Sequence, residues 1–167
     1  MPMFSESHVL AASGNDASKN DASRNGLAFG TAPRKLSGMT RTNISSESEF
    51  EALVGYSRAV RIGNVIAVSG TTAAAPGGTA VGGEDMGAQA REALRRIALA
   101  LEQAGASLSD VIRTRIFVTD ISRYAEVAAA HAEVFGTIRP AASMYEVRAL
   151  ITPALLVEIE ADAVVTA

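Results

Sequence analysis

The chain has 167 residues, 48% of them hydrophobic and 20% charged, and a formal net charge of -3, which fits one globular domain better than two. A slightly acidic chain with no basic cluster carries no electrostatic footprint for nucleic acid or for an anionic membrane surface. Without cysteine it has no disulfide framework, thiolate nucleophile or cysteine-held zinc, and His8 and His131 stand too far apart for a metal motif.

The stretch from Ser5 to Gly38 is Ser, Ala, Asn, Gly and Asp with few large apolar residues, too little to offset the entropy of ordering. Residues 1–38 are therefore expected to form a disordered extension, with Met39 a plausible alternative start, and residues 39–167 a single domain. No apolar run approaches the roughly 18 residues of a membrane span. Met1 to Phe4 carries no positive charge and Val9 to Ala12 is short for the apolar core of a leader, so the expectation is a cytoplasmic protein.

Arg58 to Val68 is two short apolar runs about Gly63-Asn64, a hairpin signal. Pro76 to Gly83 reads as a flexible glycine-rich connector; it lacks the lysine of a phosphate-binding loop. From Glu84 to Ala104, Met86, Ala90, Ala93, Leu94, Ile97, Leu101 and Ala104 recur at helical spacing, with Glu84 and Asp85 in the first turn and Gly105 just past the end. Val111 to Val118 alternates as a strand, with Ile112, Thr114, Ile116 and Val118 facing one way and Arg113, Arg115 and Phe117 the other. A second helix is expected from about Ser122 to Phe135, its apolar face holding Ile121, Tyr124, Val127, His131 and Val134. His131 on that face reads as a packed or interface histidine rather than a triad member. The only lysines, Lys19 and Lys35, lie in the extension, which excludes a Schiff-base lysine.

Two strands close the chain, Ala142 to Leu150 and Leu155 to Val165, joined by a turn near Thr152-Pro153. In the last, Leu155, Val157, Ile159, Ala161, Ala163 and Val165 form an apolar face and Glu158, Glu160 and Asp162 a polar one. The order β-β-α-β-α-β-β predicts an α+β fold, a mixed β-sheet with two helices packed on one face. A sheet face carrying both arginines and carboxylates must then meet water or another subunit.

Four strings carry a resemblance: GNVIAVSG (63–70), AQAREALRRIALALEQAGAS (88–107), VIRTRIFVTDI (111–121) and VEIEADAV (157–164). In that order they resemble RidA/YjgF proteins, a likeness extending from about Tyr56 to Val165. It implies a chorismate-mutase-like fold, a homotrimer with three intersubunit clefts, and hydrolysis of enamines or imines to a carbonyl product and ammonia without a cofactor. Tyr56 then matches the tyrosine covering the ligand, Ser69 and Gly70 the pair ending the first hairpin, and Glu158 the glutamate that positions the attacking water. Each has a plainer alternative: Tyr56 packing the domain edge, Ser69 a turn serine before glycine, Glu158 a solvated or salt-bridged carboxylate.

The sequence departs from the family pattern at two positions. The arginine that grips the substrate carboxylate should stand two residues past Pro140, where this chain has Ala142; the asparagine of the second helix is Ala128. Arg139 and Arg115, with Arg148 behind them, are the candidates to replace the lost grip on an anionic ligand. Two functions stay open: a small-molecule hydrolase using Glu158, and a non-catalytic trimer that binds a small metabolite. An endoribonuclease activity, a label carried by some relatives, finds no support in an acidic chain with few aromatics.

Overall fold

The computed structural model describes residues 39–166; the expected extension over 1–38 lies outside the described residues. Strand β1 (Arg41–Ile44) and helix α1 (Glu49–Val54) come first, two elements that the sequence pattern does not announce. The Ser48 side chain caps α1 by accepting from the Phe50 amide. Strands β2 (Ala59–Ile62) and β3 (Val65–Thr72) form the expected hairpin, turning at Gly63 with φ 61°, a conformation that favours glycine. The connector that follows is more ordered than expected. Strand β4 (Ala74–Ala75) pairs with β5 (Thr79–Ala80) across a 3-10 turn, which Thr79 Oγ1 closes by donating to the Pro76 carbonyl at 2.9 Å.

Helix α2 (Met86–Gln103) begins later than its acidic lead-in predicts, because Asp85 is its cap: the carboxylate accepts from the Ala88 amide at 2.8 Å, leaving Glu84 and Asp85 outside the helix. Its predicted face is the buried one, Leu94, Ile97 and Leu101 being at most 1% exposed. Each such side chain contributes roughly 1.5–3 kcal/mol. Strand β6 (Val111–Val118) has the predicted bounds but not the predicted start of its inward face. Its register on the last strand shifts between Val111 and Arg113, so the bulge buries Val111 and turns Ile112 out to 53% exposure.

Helix α3 (Tyr124–Phe135) follows a 3-10 turn, Ile121–Arg123, capped by Asp120. The apolar stripe of α3 begins one turn later than predicted: Val127, Ala130 and Phe135 are buried, His131 and Val134 partly so, whereas Ile121 and Tyr124 are exposed. Strand β7 (Ala141–Glu146) stops before the predicted Leu150, so Arg148 lies beyond it, and β8 (Val157–Val164) is slightly shorter than predicted at both ends.

The six long strands form one sheet in the order β1-β2-β3-β8-β6-β7. Every pairing is antiparallel except β6 with β7, so the sheet is mixed and the last two strands, though consecutive, are separated by β6. Helix α2 lies over β3 and β8 and packs along α3, whose His131 meets Thr114 of β6. Both long helices thus cover one face, against which Val157, Ile159, Ala161 and Ala163 are fully buried. Glu158, Glu160 and Asp162 alternate with them and point to the uncovered face. This is the α+β architecture that the sequence predicts.

Candidate functional site

A groove of about 1010 Å³ opens where α1, β3, the C-terminal part of α2 and the start of β8 come together. Tyr56, Ser69, Gly70 and Glu158, far apart in sequence, all line it. What assembles them is a fault in the sheet. Between the pairs Val68–Ala161 and Thr71–Ile159, two residues of β3, Ser69 and Gly70, stand opposite one residue of β8, Glu160. Such a bulge bends the strand and frees it from regular pairing. Beyond it Thr72 lies opposite Glu158, whose side chain leans back over Gly70. A Cβ at position 70 would sit 2.9 Å from the Glu158 carboxyl carbon and closer still to one of its oxygens, so only glycine leaves room for the carboxylate.

Glu158 is half-buried, and among the described residues no arginine forms a salt bridge with it. Burial pushes its carboxyl above the usual carboxylate range; the neighbouring Glu160 adds to the shift, and Arg58 works against it. Phe117 stands opposite Glu158 in register and stacks on Tyr145 at 6.2 Å, an apolar wall beside the acid. Ser69 is committed to the backbone, its hydroxyl donating to the Ser57 carbonyl at 2.7 Å.

Arg58, a residue that sequence reasoning passed over, ties this wall together. Its Nη1 donates to the Gly70 carbonyl at 2.7 Å and Thr71 Oγ1 at 2.9 Å; its Nη2 donates to the Tyr56 hydroxyl at 3.1 Å. The guanidinium also lies 5.6 Å from the centre of the Tyr56 ring. Tyr56 and Arg58 are two apart in the segment that leads into β2, and that spacing was the signal available in the sequence.

The arginines singled out from the sequence lie elsewhere. Arg115 is on the uncovered sheet face, paired to Glu160 at 3.4 Å and Asp162 at 3.1 Å. Arg139 is exposed, with φ 55° and its Nε donating to the Gly136 carbonyl at 3.2 Å. Neither lines the groove, and neither does exposed Arg148. Ala142 is exposed on β7 opposite Thr114, and Ala128 is exposed on α3. Among the described residues, no three His, Asp or Glu side chains gather as a metal site.

Similarity to known proteins follows the same segments. A family model described as Endoribonuclease L-PSP matches residues 46–165. The chain is 34% identical over 129 residues to a 2-iminobutanoate/2-iminopropanoate deaminase of Salmonella typhimurium, covering 75% of this chain and 98% of that protein. Among solved structures, a Mycobacterium tuberculosis member of the YjgF/YER057c/UK114 family is 62% identical, with TM-score 0.69 over 75% of this chain and 100% of that one. The YjgF gene product of E. coli is 33% identical, with TM-score 0.64 over 74% of this chain and 98% of that one.

Proposed function

Since the chain belongs to the RidA/YjgF family, we propose that it hydrolyses a small imine or enamine to a carbonyl product and ammonia, without a cofactor. The observation that carries this reading is the placement of Glu158. A half-buried carboxylate without an ion-pair partner among the described residues, raised above its ordinary pKa, is a better proton acceptor near neutral pH than a surface one. In the reaction, water adds to the imine carbon and its proton passes through Glu158 to the nitrogen, giving a carbinolamine. Collapse of that intermediate re-forms the carbonyl, breaks the carbon–nitrogen bond and releases ammonia, so atoms and charge balance with no redox partner. Tyr56 and the bulge at Ser69-Gly70 bound the space in which the substrate sits.

The same proposal includes a homotrimer of chorismate-mutase-like subunits, with the groove completed by a neighbour. It is supported by the uncovered sheet face, where Tyr145 is 52% exposed on the edge strand β7. A cytoplasmic location belongs to the proposal as well; no helix among the described residues is long and apolar enough to cross a membrane. One observation favours a non-catalytic metabolite binder: the position of the carboxylate-gripping arginine implied by the family likeness holds the exposed methyl of Ala142. The test is an imine-hydrolysis assay, with a dehydratase generating the enamine or an amino-acid oxidase generating bulkier imines. The expected result is faster decay with the protein, lost by about a hundredfold or more in Glu158→Gln. Binding of substrate analogues without any acceleration would leave the binder reading instead.

A further inference from the structure

We propose that Arg58 holds the anionic end of the ligand, and that the groove selects 2-imino acids with a bulky apolar side chain. The inference deepens the hydrolase reading and rests on it for the chemistry, but not for the binding. Two guanidinium groups line the groove, Arg58 and Arg96. Arg96 already has its counter-ion and a structural role: Nε holds Glu92 at 2.6 Å, while Nη1 donates to the Thr72 and Ala74 carbonyls. Arg58 is different. Its three close bonds go to a carbonyl and two hydroxyls, and among the described residues no carboxylate forms a salt bridge with it. Glu51 and Glu158 are near enough to feel its charge, but neither bonds to it, so this half-buried guanidinium keeps donors that an anion can take.

The same three bonds fix the group in place, so binding need not order it. Of its five N–H donors, Nε–H and one hydrogen on Nη2 have no protein acceptor among the described residues. A carboxylate can take those donors while the adjacent imine carbon faces Glu158 on the same groove wall. The carboxylate is then gripped from the residue just before β2 rather than from position 142 on β7. At the mouth of the groove, Phe50, Val54, Leu99 and Ile151 all line it and are 43%, 68%, 45% and 71% exposed. Four large apolar side chains round one opening favour a ligand with an apolar body.

Phenylpyruvate and its uncharged amide, phenylpyruvamide, are the binding probes. Titrated into the full chain by calorimetry, the acid is expected to bind tenfold to a hundredfold tighter than the amide. The preference is expected to vanish in Arg58→Gln and to shrink in Arg58→Lys, which keeps the charge and loses the fork. Equal affinity of acid and amide for the unaltered protein overturns the proposal without relying on a variant. So does an unchanged preference in an Arg58→Gln protein that still melts cooperatively. In turnover, Arg58→Gln is expected to raise KM for the imine of phenylalanine far more than it lowers kcat, and far more than it raises KM for the imine of phenethylamine. If no imine turns over while the acid preference still depends on Arg58, the hydrolase reading fails and the anion site stands. If imines turn over with a KM indifferent to Arg58, the reverse holds.

Discussion

Gly70 and Glu158 share one volume, and that makes each a test of the other. In Gly70→Ala the new methyl must displace the Glu158 carboxylate, which is the free end of a flexible side chain and can swing away at little cost to the fold. We expect kcat to fall at least tenfold while the melting temperature moves by only a few degrees, measured by the imine assay and a thermal melt. The carboxylate itself has a pH signature. Burial, then Glu160, raises its pKa in the folded protein. A raised folded value means that the stabilising contribution is fully present below the ordinary carboxylate pKa and is lost as pH rises through the folded value. At neutral pH the charged group therefore costs stability, by a small amount because it stays partly in water. Glu158→Gln should melt about 1–3 °C above the unaltered protein at neutral pH, the gap closing as pH approaches about 4. Equal melts across that range would mean that Glu158 is as well solvated folded as unfolded. Activity and stability are expected to move in opposite directions at this residue.

Among the secondary-structure elements, one buried polar side chain connects the long helix to the site. Gln89, in the first turn of α2, is fully buried. Its Nε2 donates to the Gly83 carbonyl at 2.6 Å and the Ala154 carbonyl at 2.8 Å, and its Oε1 accepts from the Leu156 amide at 2.8 Å. The segment it fastens leads straight into β8 and Glu158. Gln89→Leu keeps the volume and takes a partner from the backbone groups of exposed Gly83 and part-buried Ala154 and Leu156, for an expected loss of roughly 1–3 kcal/mol read from the denaturant midpoint. A loss under about half a kcal/mol would show that water replaces the amide. The sequence hides this role, because a glutamine at the border of an apolar stripe looks like a surface residue. The stripe itself was plain: seven apolar positions at helical spacing, and the full alternation of β8. Four residues of β1 and six of α1 are too short to show a period. The turned-out Ile112 was equally hidden, because a bulge changes the phase of a strand without changing its composition. Of the site, Tyr56, Ser69, Gly70 and Glu158 were legible through the family likeness, but Arg58 was not. Arg115 and Arg139 lie near Ala142 in the strand order, whereas the groove is built across β8 from them, beside β3 and the segment leading into β2.

For the molecule as a whole, the question is what meets the uncovered sheet face. Arg115 is 36% exposed there, between Glu160 at 36% and Asp162 at 33%, next to the stacked pair Phe117–Tyr145. Paired charges around an aromatic patch suit the polar rim and apolar centre of a subunit interface. No period in the sequence states the number of copies; that comes from the family likeness alone. The expected mass in solution is three times the chain mass of 17.3 kDa, by light scattering on a sizing column. Tyr145→Asp places a charge at the patch, where its side chain is 52% exposed in the single chain and would be desolvated between copies. At low micromolar concentration that variant is expected to run as a monomer, to retain the helical content of the folded chain, and to lose imine hydrolysis with the neighbour that closes the groove. A monomeric unaltered protein would remove the intersubunit cleft while leaving the Arg58–Glu158 wall intact, since every residue of that wall comes from one chain. Full activity in monomeric Tyr145→Asp would mean that the site is complete within one subunit, and that the uncovered face serves assembly rather than catalysis.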